Sequence, residues 1–322
     1  MNDRIIAALK EAEGPVSGER LAGRLGVSRA ALWKRIEGLR VAGYVIDGSP
    51  KIGYRLLLEP DLVSASVLES LLPSEFTENV VRVDETNSTN TLAKEMVTSG
   101  RLRPAGLIVA ESQTGGRGRF GRRWHSPRGG IWFSLVVKPR LSVREAGAVP
   151  LLASVAAAEA AAEATGLDVR IKWPNDLLVE GRKVAGILTE LAAELGEIDY
   201  LVVGLGLNAN FTFGDLGDPK LSATTLMDET GRAVDRTRLI AEIVNRFLFD
   251  LPGLSEGVET ILARWRARSA TLGRTVTVTA AGEGFTGEAV DLDGEGGLIV
   301  VDSAGRRRVF RAGEVTLDSE YR

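Results

Sequence analysis

Gly106-Leu-Ile-Val-Ala110 leads, two residues on, into Gln113-Thr-Gly-Gly-Arg-Gly-Arg-Phe-Gly-Arg-Arg-Trp124, and the second stretch decides how the chain is read. The apolar pentapeptide reads as a buried strand. The twelve residues after it hold four glycines and four arginines. Glycine permits positive φ and close approach of backbone to ligand, and arginine offers a planar fork of donors matched to carboxylate or phosphate. A loop with both is suited to wrapping an anion. Two nucleotide motifs are excluded. Gly116-x-Gly118-x-x-Gly121 has the spacing of the dinucleotide fingerprint, but that fingerprint must open a helix, and here the chain continues as Arg122-Arg-Trp-His-Ser-Pro-Arg-Gly-Gly130. No Gly-Lys-Ser or Gly-Lys-Thr follows, so the loop is not a P-loop.

With 322 residues, 44% of them hydrophobic, the chain has the length for two or three domains with real cores. Its formal net charge is −3, so any nucleic-acid contact must rest on a local basic patch. The absence of cysteine excludes disulfides, thiolate catalysis and cysteine-ligated zinc, and is consistent with a reducing compartment. His125 is the single histidine, and no Gly-x-Ser-x-Gly elbow is present, which excludes histidine metal sites and argues against a Ser-His-Asp triad. The first residues lack a signal-peptide layout, and the longest apolar run, Ala146 to Ala158, is too short to span a bilayer. A soluble, cytoplasmic protein without membrane association is expected.

Asp3 to Glu13 places Ile5, Ile6 and Leu9 at helical spacing and stops at Gly14-Pro15. Ser17 reads as the N-cap of a short helix ending at Gly26. Ser28 then caps a longer helix, Arg29 to Val41, with Gly43 as its stop. Two short helices joined by a tight turn form the helix-turn-helix pattern, and Tyr44 to Leu56 reads as a two-stranded wing. The second helix carries Arg29, Lys34, Arg35 and Arg40 against Glu37 alone. Ser28, Arg29 and Ala30 stand at its N-terminal end, where such helices meet base edges. Solvated charge on a protein-contact module is the alternative; turn, charge and wing together favour DNA. Ser64 to Leu72 reads as a short linking helix.

Further on, Val80 to Val83 reads as a strand, and Ser88-Thr89-Asn90 as caps for a helix over Thr91 to Val97. Gly130 to Val137 is a strand, Gly147 to Thr165 an Ala-rich core helix, and Val169 to Lys172 a strand stopped by Pro174 with Asn175 and Asp176 at its tip. Amphipathic helices follow at Arg238 to Leu251 and Gly257 to Arg268. From Leu272 the hydrophobic period becomes two, with Gly-rich turns between the strands Thr275 to Thr279, Gly287 to Leu292, Gly297 to Val301 and Arg306 to Phe310. That pattern predicts a small SH3-like antiparallel barrel.

Gly116-Arg-Gly-Arg-Phe-Gly-Arg122, Lys172-Trp-Pro-Asn-Asp176, Arg182-Lys-Val-Ala-Gly-Ile-Leu188 and Tyr200-Leu-Val-Val-Gly-Leu-Gly-Leu-Asn208 stand in the order of the motifs of biotin–protein ligases. The whole chain resembles the bifunctional type that also represses the biotin operon. The resemblance implies an α+β multidomain protein: a winged helix-turn-helix over residues 1–62, a mixed-sheet α/β ligase domain over 63–270 and an SH3-like domain over 271–322. It implies biotin, ATP and Mg²⁺ as substrates and cofactor, and biotinyl-5′-AMP as intermediate. The implied partners are the biotin carboxyl carrier protein of acetyl-CoA carboxylase, operator DNA and a second copy of the chain. Biotin contacts are implied for Ser88, Thr89, Asn90, Gln113, Arg117, Gly118, Arg119 and Lys183, with Arg119 and Lys183 catalytic. ATP or adenylate contacts are implied for Arg119, Arg122, Trp124, Lys172, Asn175 and Asn208, and a Mg²⁺ contact for Asp176. Ser28, Arg29, Ala30, Lys34 and Arg35 are implied to meet DNA. In the loop from Phe211 to Leu226 the family places a bulky apolar residue over adenine; this chain has Phe211, Phe213, Leu216 and Leu221 there and no tryptophan. The rival expectations are a non-catalytic biotin or small-acid sensor that represses transcription, and a lipoate ligase.

Overall fold

The computed structural model describes residues 1–12, 14–41, 43–49, 52–58, 60–194, 197–213, 223–280 and 282–317. The chain divides into two compact units, Met1–Leu62 and Val63–Arg322.

The first unit orders helices α1 (Asn2–Lys10), α2 (Gly18–Leu25) and α3 (Arg29–Val41) before a hairpin, β1 (Val45–Ser49) and β2 (Gly53–Leu58). The punctuation is as the sequence predicts. Ser17 Oγ accepts from Arg20 N, Gly26 closes α2 at φ +69°, and Ser28 Oγ accepts from Ala31 N, which starts α3. Ile5, Leu9, Leu21, Leu25, Leu32, Ile36 and Leu39 form the core with Ile46 and Tyr54 of the hairpin. One charge is reassigned. Arg40 points its guanidinium at the Ile46 and Gly48 carbonyls, at 2.8–2.9 Å, and at Glu37. It binds the wing to α3 and drops out of the basic face, leaving Lys34 and Arg35 exposed there with Ser28, Arg29 and Ala30.

The second unit is built on a seven-stranded mixed sheet: β3 (Val80–Thr86), β4 (Gly106–Gln113), β5 (Ile131–Val137), β6 (Arg170–Lys172), β7 (Asp176–Val179), β8 (Arg182–Glu194) and β9 (Glu197–Leu207). The spatial order is β3-β4-β5-β9-β8-β7-β6, with β3 and β4 parallel and the other pairs antiparallel. Helix α4 (Ala65–Leu71) precedes the sheet and packs against α8 (Arg236–Asp250), with Leu68 fully buried, so the expected linker is part of this core. Helix α5 (Thr89–Thr98) connects β3 to β4. Helix α6 (Val149–Thr165) follows a 3-10 turn over Glu145–Ala148, starting two residues later than predicted. Its stretch is apolar and long enough to cross a membrane, but 72% of its most apolar window is buried inside the fold. Helices α7 (Leu226–Thr230) and α9 (Glu259–Ala267) complete the set.

Period-two alternation separates two faces. Leu107 and Val109, Phe133 and Leu135, and Leu201, Val203 and Leu205 join α6, α8 and α9 in the main core. Ile108, Val136 and Val202 turn the other way and pack on Ala93 of α5. At the edge of the main core Glu111 and Arg236, each about 1% exposed, pair at 2.9 Å. Glu111 also accepts the Val63 N–H and an Arg82 N–H, and Arg236 donates to the Gly130 carbonyl. A buried pair this fully bonded is costly to break, at about 3–5 kcal/mol when one partner is lost.

The C-terminal residues form a five-stranded antiparallel sheet, β10 (Thr275–Ala280), β11 (Glu283–Leu292), β12 (Leu298–Val301), β13 (Arg307–Phe310) and β14 (Glu314–Leu317), in the order β13-β12-β11-β10-β14. The sequence reading missed β14, a four-residue strand that pairs with β10. Val276, Val278, Leu298 and Val300 join the main core, so this sheet is seated on the core of the seven-stranded sheet. From the sequence stretches above, Glu13, Pro50, Lys51 and residues 214–222, with Leu216 and Leu221 among them, lie outside the described residues.

Three helices of the second unit meet at Glu159 of α6, which accepts from Arg264 of α9 at 2.6 and 3.0 Å and lies 3.6 Å from Arg246 of α8. Burial pushes its pKa up, but the hydrogen bond and charge of Arg264 and the charges of Arg268 and Arg246 outweigh this and hold it below the ordinary value. A depressed carboxyl stabilises the fold above its unfolded pKa of about 4.3 and loses that contribution as pH falls through the lower folded value. Glu159→Gln should therefore be less stable than the parent at pH 7 by thermal denaturation, and the gap should close below about pH 4.

Candidate functional site

Above the α5 face the side chains shrink, and a cavity opens. The antiparallel registers set two rows across β5, β9 and β8: Ser134, Gly204 and Leu188 in one, Trp132, Gly206 and Gly186 in the next. A Cβ on Gly204 would lie 2.1 Å from Asn90 Oδ1, and one on Gly206 would lie 2.5 Å from Trp124 Nε1. The glycines are thus the floor on which Asn90 and Trp124 rest. The cavity has a volume of about 610 Å³.

Its polar end is built on the start of α5. Ser88 occupies the N-cap position without making a side-chain capping bond, so capping does not explain the Ser-Thr-Asn sequence. Instead Thr89 donates its N–H to Gln113 Oε1 at 2.8 Å, and Gln113 Nε2 donates to Ser126 Oγ at 2.9 Å. Asn90 lies 2.6 Å from the buried Ser134 hydroxyl and donates to Leu188 O and Glu190. Ser134 was not singled out in the sequence. Its signal was a lone hydroxyl in the apolar run Ile131-Trp-Phe-Ser-Leu-Val-Val137.

The opposite end is cationic. The Gly/Arg loop is held as a narrow excursion: Gln113 N bonds Ser126 O, Trp124 N bonds Gly116 O, and Gly118 N bonds Arg122 O. Phe120 takes φ +56° at its tip, with Arg119 over its ring. Arg117 donates to Thr91 Oγ1 at 2.8 Å. Arg119 reaches the Gly313 carbonyl at 3.2 Å, and Arg122 pairs with Glu314, so the C-terminal sheet supplies one wall. No local sequence signal marks Glu314, which lies 192 residues from its partner. Lys183 pairs with Asp176 at 2.6 Å and lies 5.0 Å from the Trp124 ring centre. Burial lowers the pKa of Lys172, with Lys183 and Arg122 adding to the effect and Asp176 and Glu314 opposing it. Burial also lowers that of Arg119, against Asp176 and Glu314.

All fourteen residues anticipated for biotin, nucleotide and Mg²⁺ line this one cavity. Two of them are engaged in holding the fold. Asn175 donates to Ile187 O, and Asn208 donates to Thr224 O at 3.0 Å. Phe213 lines the cavity too, its ring tilted by 56° against that of Phe211 with the centroids 5.4 Å apart. Trp124 Nε1 is buried against Gly206 and has no hydrogen-bond partner. For a metal the protein offers little: among the described residues no three Asp, Glu or His side chains cluster, and Asp176 is already paired. That suits Mg²⁺ carried on phosphate oxygens, an ion that keeps water and takes few carboxylates.

Three family models match, the HTH domain over residues 3–55, the Biotin/lipoate A/B protein ligase family over 82–208 and the Biotin protein ligase C terminal domain over 271–318. The Bacillus subtilis protein named bifunctional ligase/repressor BirA is 34% identical over 302 residues, 92% of each chain. This chain belongs to the bifunctional biotin ligase/repressor family. The biotin–[acetyl-CoA-carboxylase] ligase of Mycobacterium tuberculosis is 34% identical over 72% of this chain and 86% of its own. The biotin protein ligase of Aquifex aeolicus, solved with biotin and ATP, superposes with a TM-score of 0.64 at 29% identity, over 74% of this chain and 98% of that one. A biotin ligase with this floor should not tolerate Gly206→Ala. Displacing Trp124 and with it the Lys183 stack should lower turnover about 100-fold, measured as pyrophosphate release.

Proposed function

We propose that this protein activates biotin with MgATP to biotinyl-5′-AMP, transfers the biotinyl group to a lysine of the biotin carboxyl carrier protein, and binds operator DNA through its first unit. The supporting observation is the convergence of hydrogen-bonding groups and several cations in one cavity. In this reading residues 1–62 bind DNA, 63–270 carry the chemistry and 271–322 close the site.

In the first step a biotin carboxylate oxygen attacks the α-phosphorus of ATP. The bond to the β-phosphate breaks, and pyrophosphate leaves. In the second, the neutral acceptor amine attacks the acyl carbon, an amide forms, AMP departs, and the nitrogen releases one proton. Both reactants of the first step are anions, so preorganised cations supply most of the catalysis. Lys183 polarises the carboxylate; Arg117, Gly118 and Arg119 cover biotin and its adenylate; Arg122, Trp124, Lys172, Asn175 and Asn208 face the nucleotide. Mg²⁺, when bound, would supply charge neutralisation to the triphosphate, and Asp176 would be the carboxylate to hold it. Ser88, Thr89, Asn90 and Gln113 hold the ureido group, a neutral unit needing donors and acceptors together. The sensor rival is disfavoured by Arg119 and Lys183 both facing the cavity. The lipoate rival is disfavoured by this hydrogen-bonding end, which a dithiolane cannot satisfy. The reading includes a homodimer, which sedimentation with and without biotin and MgATP would detect.

The direct test is incubation of the purified protein with biotin and MgATP, with mass detection of biotinyl-5′-AMP. No adenylate alongside tight biotin binding would favour the sensor. Arg119→Gly should still form adenylate but release it, so that unrelated lysines become labelled, whereas Lys183→Ala should form none. For the first unit, Arg35→Ala should weaken operator binding across sequences and reduce the salt slope by about 1.

A further inference from the structure

A buried chain of hydrogen bonds leads from a carboxylate outside the assigned set to the polar end of the cavity. We propose that Glu190, acting through Asn90 and Ser134, sets the proton direction at Thr89 so that Thr89 Oγ1 meets the ligand only as an acceptor. Glu190 and Ser134 are then positioning residues that select a ligand bearing an N–H at that point. The proposal rests on the biotin reading above and assigns the atom that reads a ureido N–H.

The direction follows from counting hydrogens. Ionised Glu190 has only acceptors. Its Oε2 takes one hydrogen of Asn90 Nδ2 at 2.7 Å, and the Leu188 carbonyl takes the other at 3.2 Å. Both donors are used, and the carboxamide can sit only one way round, with Oδ1 toward Ser134. Oδ1 carries no hydrogen, so the 2.6 Å contact requires the Ser134 hydroxyl to donate. A hydroxyl has one hydrogen. Toward Thr89 Oγ1, 2.8 Å away, Ser134 can therefore only accept, and Thr89 supplies the hydrogen. The other acceptor near Thr89, Gln113 Oε1, is 3.2 Å off and already holds the Thr89 N–H at 2.8 Å. Lone pairs alone remain on Thr89 Oγ1 toward the cavity.

Ser134 is fully buried and Thr89 and Asn90 are 4% exposed, so bulk water does not randomise these three links; Glu190, 26% exposed, is the end that meets solvent. Lys94 fixes the far end through its 2.6 Å ion pair with Glu190. Burial raises the Glu190 pKa, but the hydrogen bonds from Lys94 and Asn90 and the charges of Lys94 and Arg117 outweigh it, and the group stays below its ordinary value. Lys94 also determines what Glu190→Gln does. The ammonium requires the glutamine oxygen, which turns the glutamine NH₂ toward Asn90. Asn90 Nδ2 then faces an NH₂, and relieving that clash by a flip gives up its bond to the Leu188 carbonyl. Ser134 then receives a hydrogen from Asn90 and donates to Thr89, whose own hydrogen is left to the cavity or to Gln113 Oε1 at 3.2 Å. One substitution inverts the chain.

The test is calorimetric titration of the full-length protein with biotin and with the two cyclic carbamates in which one or the other ureido N–H is replaced by oxygen. Wild type should lose about tenfold or more for one carbamate, because ring oxygen and Thr89 Oγ1 then face each other as acceptors. In Glu190→Gln, and independently in Ser134→Ala, Thr89 can donate, so that penalty should collapse while biotin binds more weakly. A merely structural role would weaken all three ligands by one factor and keep their ratio, which would overturn the proposal. So would a wild type that binds both carbamates as tightly as biotin, a result needing no variant. A wild type that binds none of the three would instead bring down the biotin reading itself.

Discussion

The second unit is arranged around an electrostatic constraint: a carboxylate and a triphosphate have to be brought together away from bulk water. Two like charges about 4 Å apart repel by about 4 kcal/mol at an effective dielectric of about 20, and the triphosphate brings several. Arg119, Arg122, Lys172 and Lys183 line one cavity whose neighbouring carboxylates are Asp176 and Glu314. Burial already lowers the pKa of Arg119 and Lys172, which means these cations are short of negative charge. A bound anion supplies it. Asp176 pairs with Lys183 and Glu314 with Arg122 at the cavity lining, so these two cations are already partly neutralised.

Such a site needs a rigid base, and the sheet provides it by giving its two faces different work. On the helix-covered face, β4, β5 and β9 present bulky apolar side chains to α6, α8 and α9. On the α5 face the same strands present Ser134, Gly204 and Gly206. Removing side-chain volume there costs packing on one face only, and α5 with Trp124 fills part of the gap. Glu111, at the end of β4, meets Arg236 of α8, and Arg236 holds the Gly130 carbonyl at the start of β5. Both ends of the excursion that carries the Gly/Arg loop are thereby tied to the main core by a pair that is costly to break.

What could be read from the sequence divides along sequence separation. Helix caps at Ser17 and Ser28, the wing, the Ala-rich helix and the fourteen cavity residues all announce themselves within a few positions, by capping chemistry, period or motif. The misses are long-range. Arg40 reads as one more basic residue of α3 until the wing folds back and its carbonyls take the guanidinium. Strand β14 is too short to show a period, and its identity comes from pairing with β10. Ser134 and Glu190 look like unremarkable strand positions because their importance lies in registers that place them beside Asn90. In each case the deciding partner is a backbone carbonyl or a side chain that local pattern cannot locate.

The turn Lys172-Trp-Pro-Asn-Asp176 shows why motif and architecture coincide in this chain. Lys172, Asn175 and Asp176 line the cavity. Trp173, 2% exposed, lines it too, and it donates its indole N–H to the Gly296 carbonyl, while its backbone N–H donates to Thr271 Oγ1. Those bonds seat the C-terminal sheet, and that sheet in turn brings Gly313 and Glu314 to Arg119 and Arg122. The motif is therefore a site element and a mounting for the module that braces the loop. A lesion at Trp173 would reach the cations through this mounting as well as through the cavity wall. The C-terminal sheet belongs to the active site through this mounting, although it contributes only one short edge of the wall.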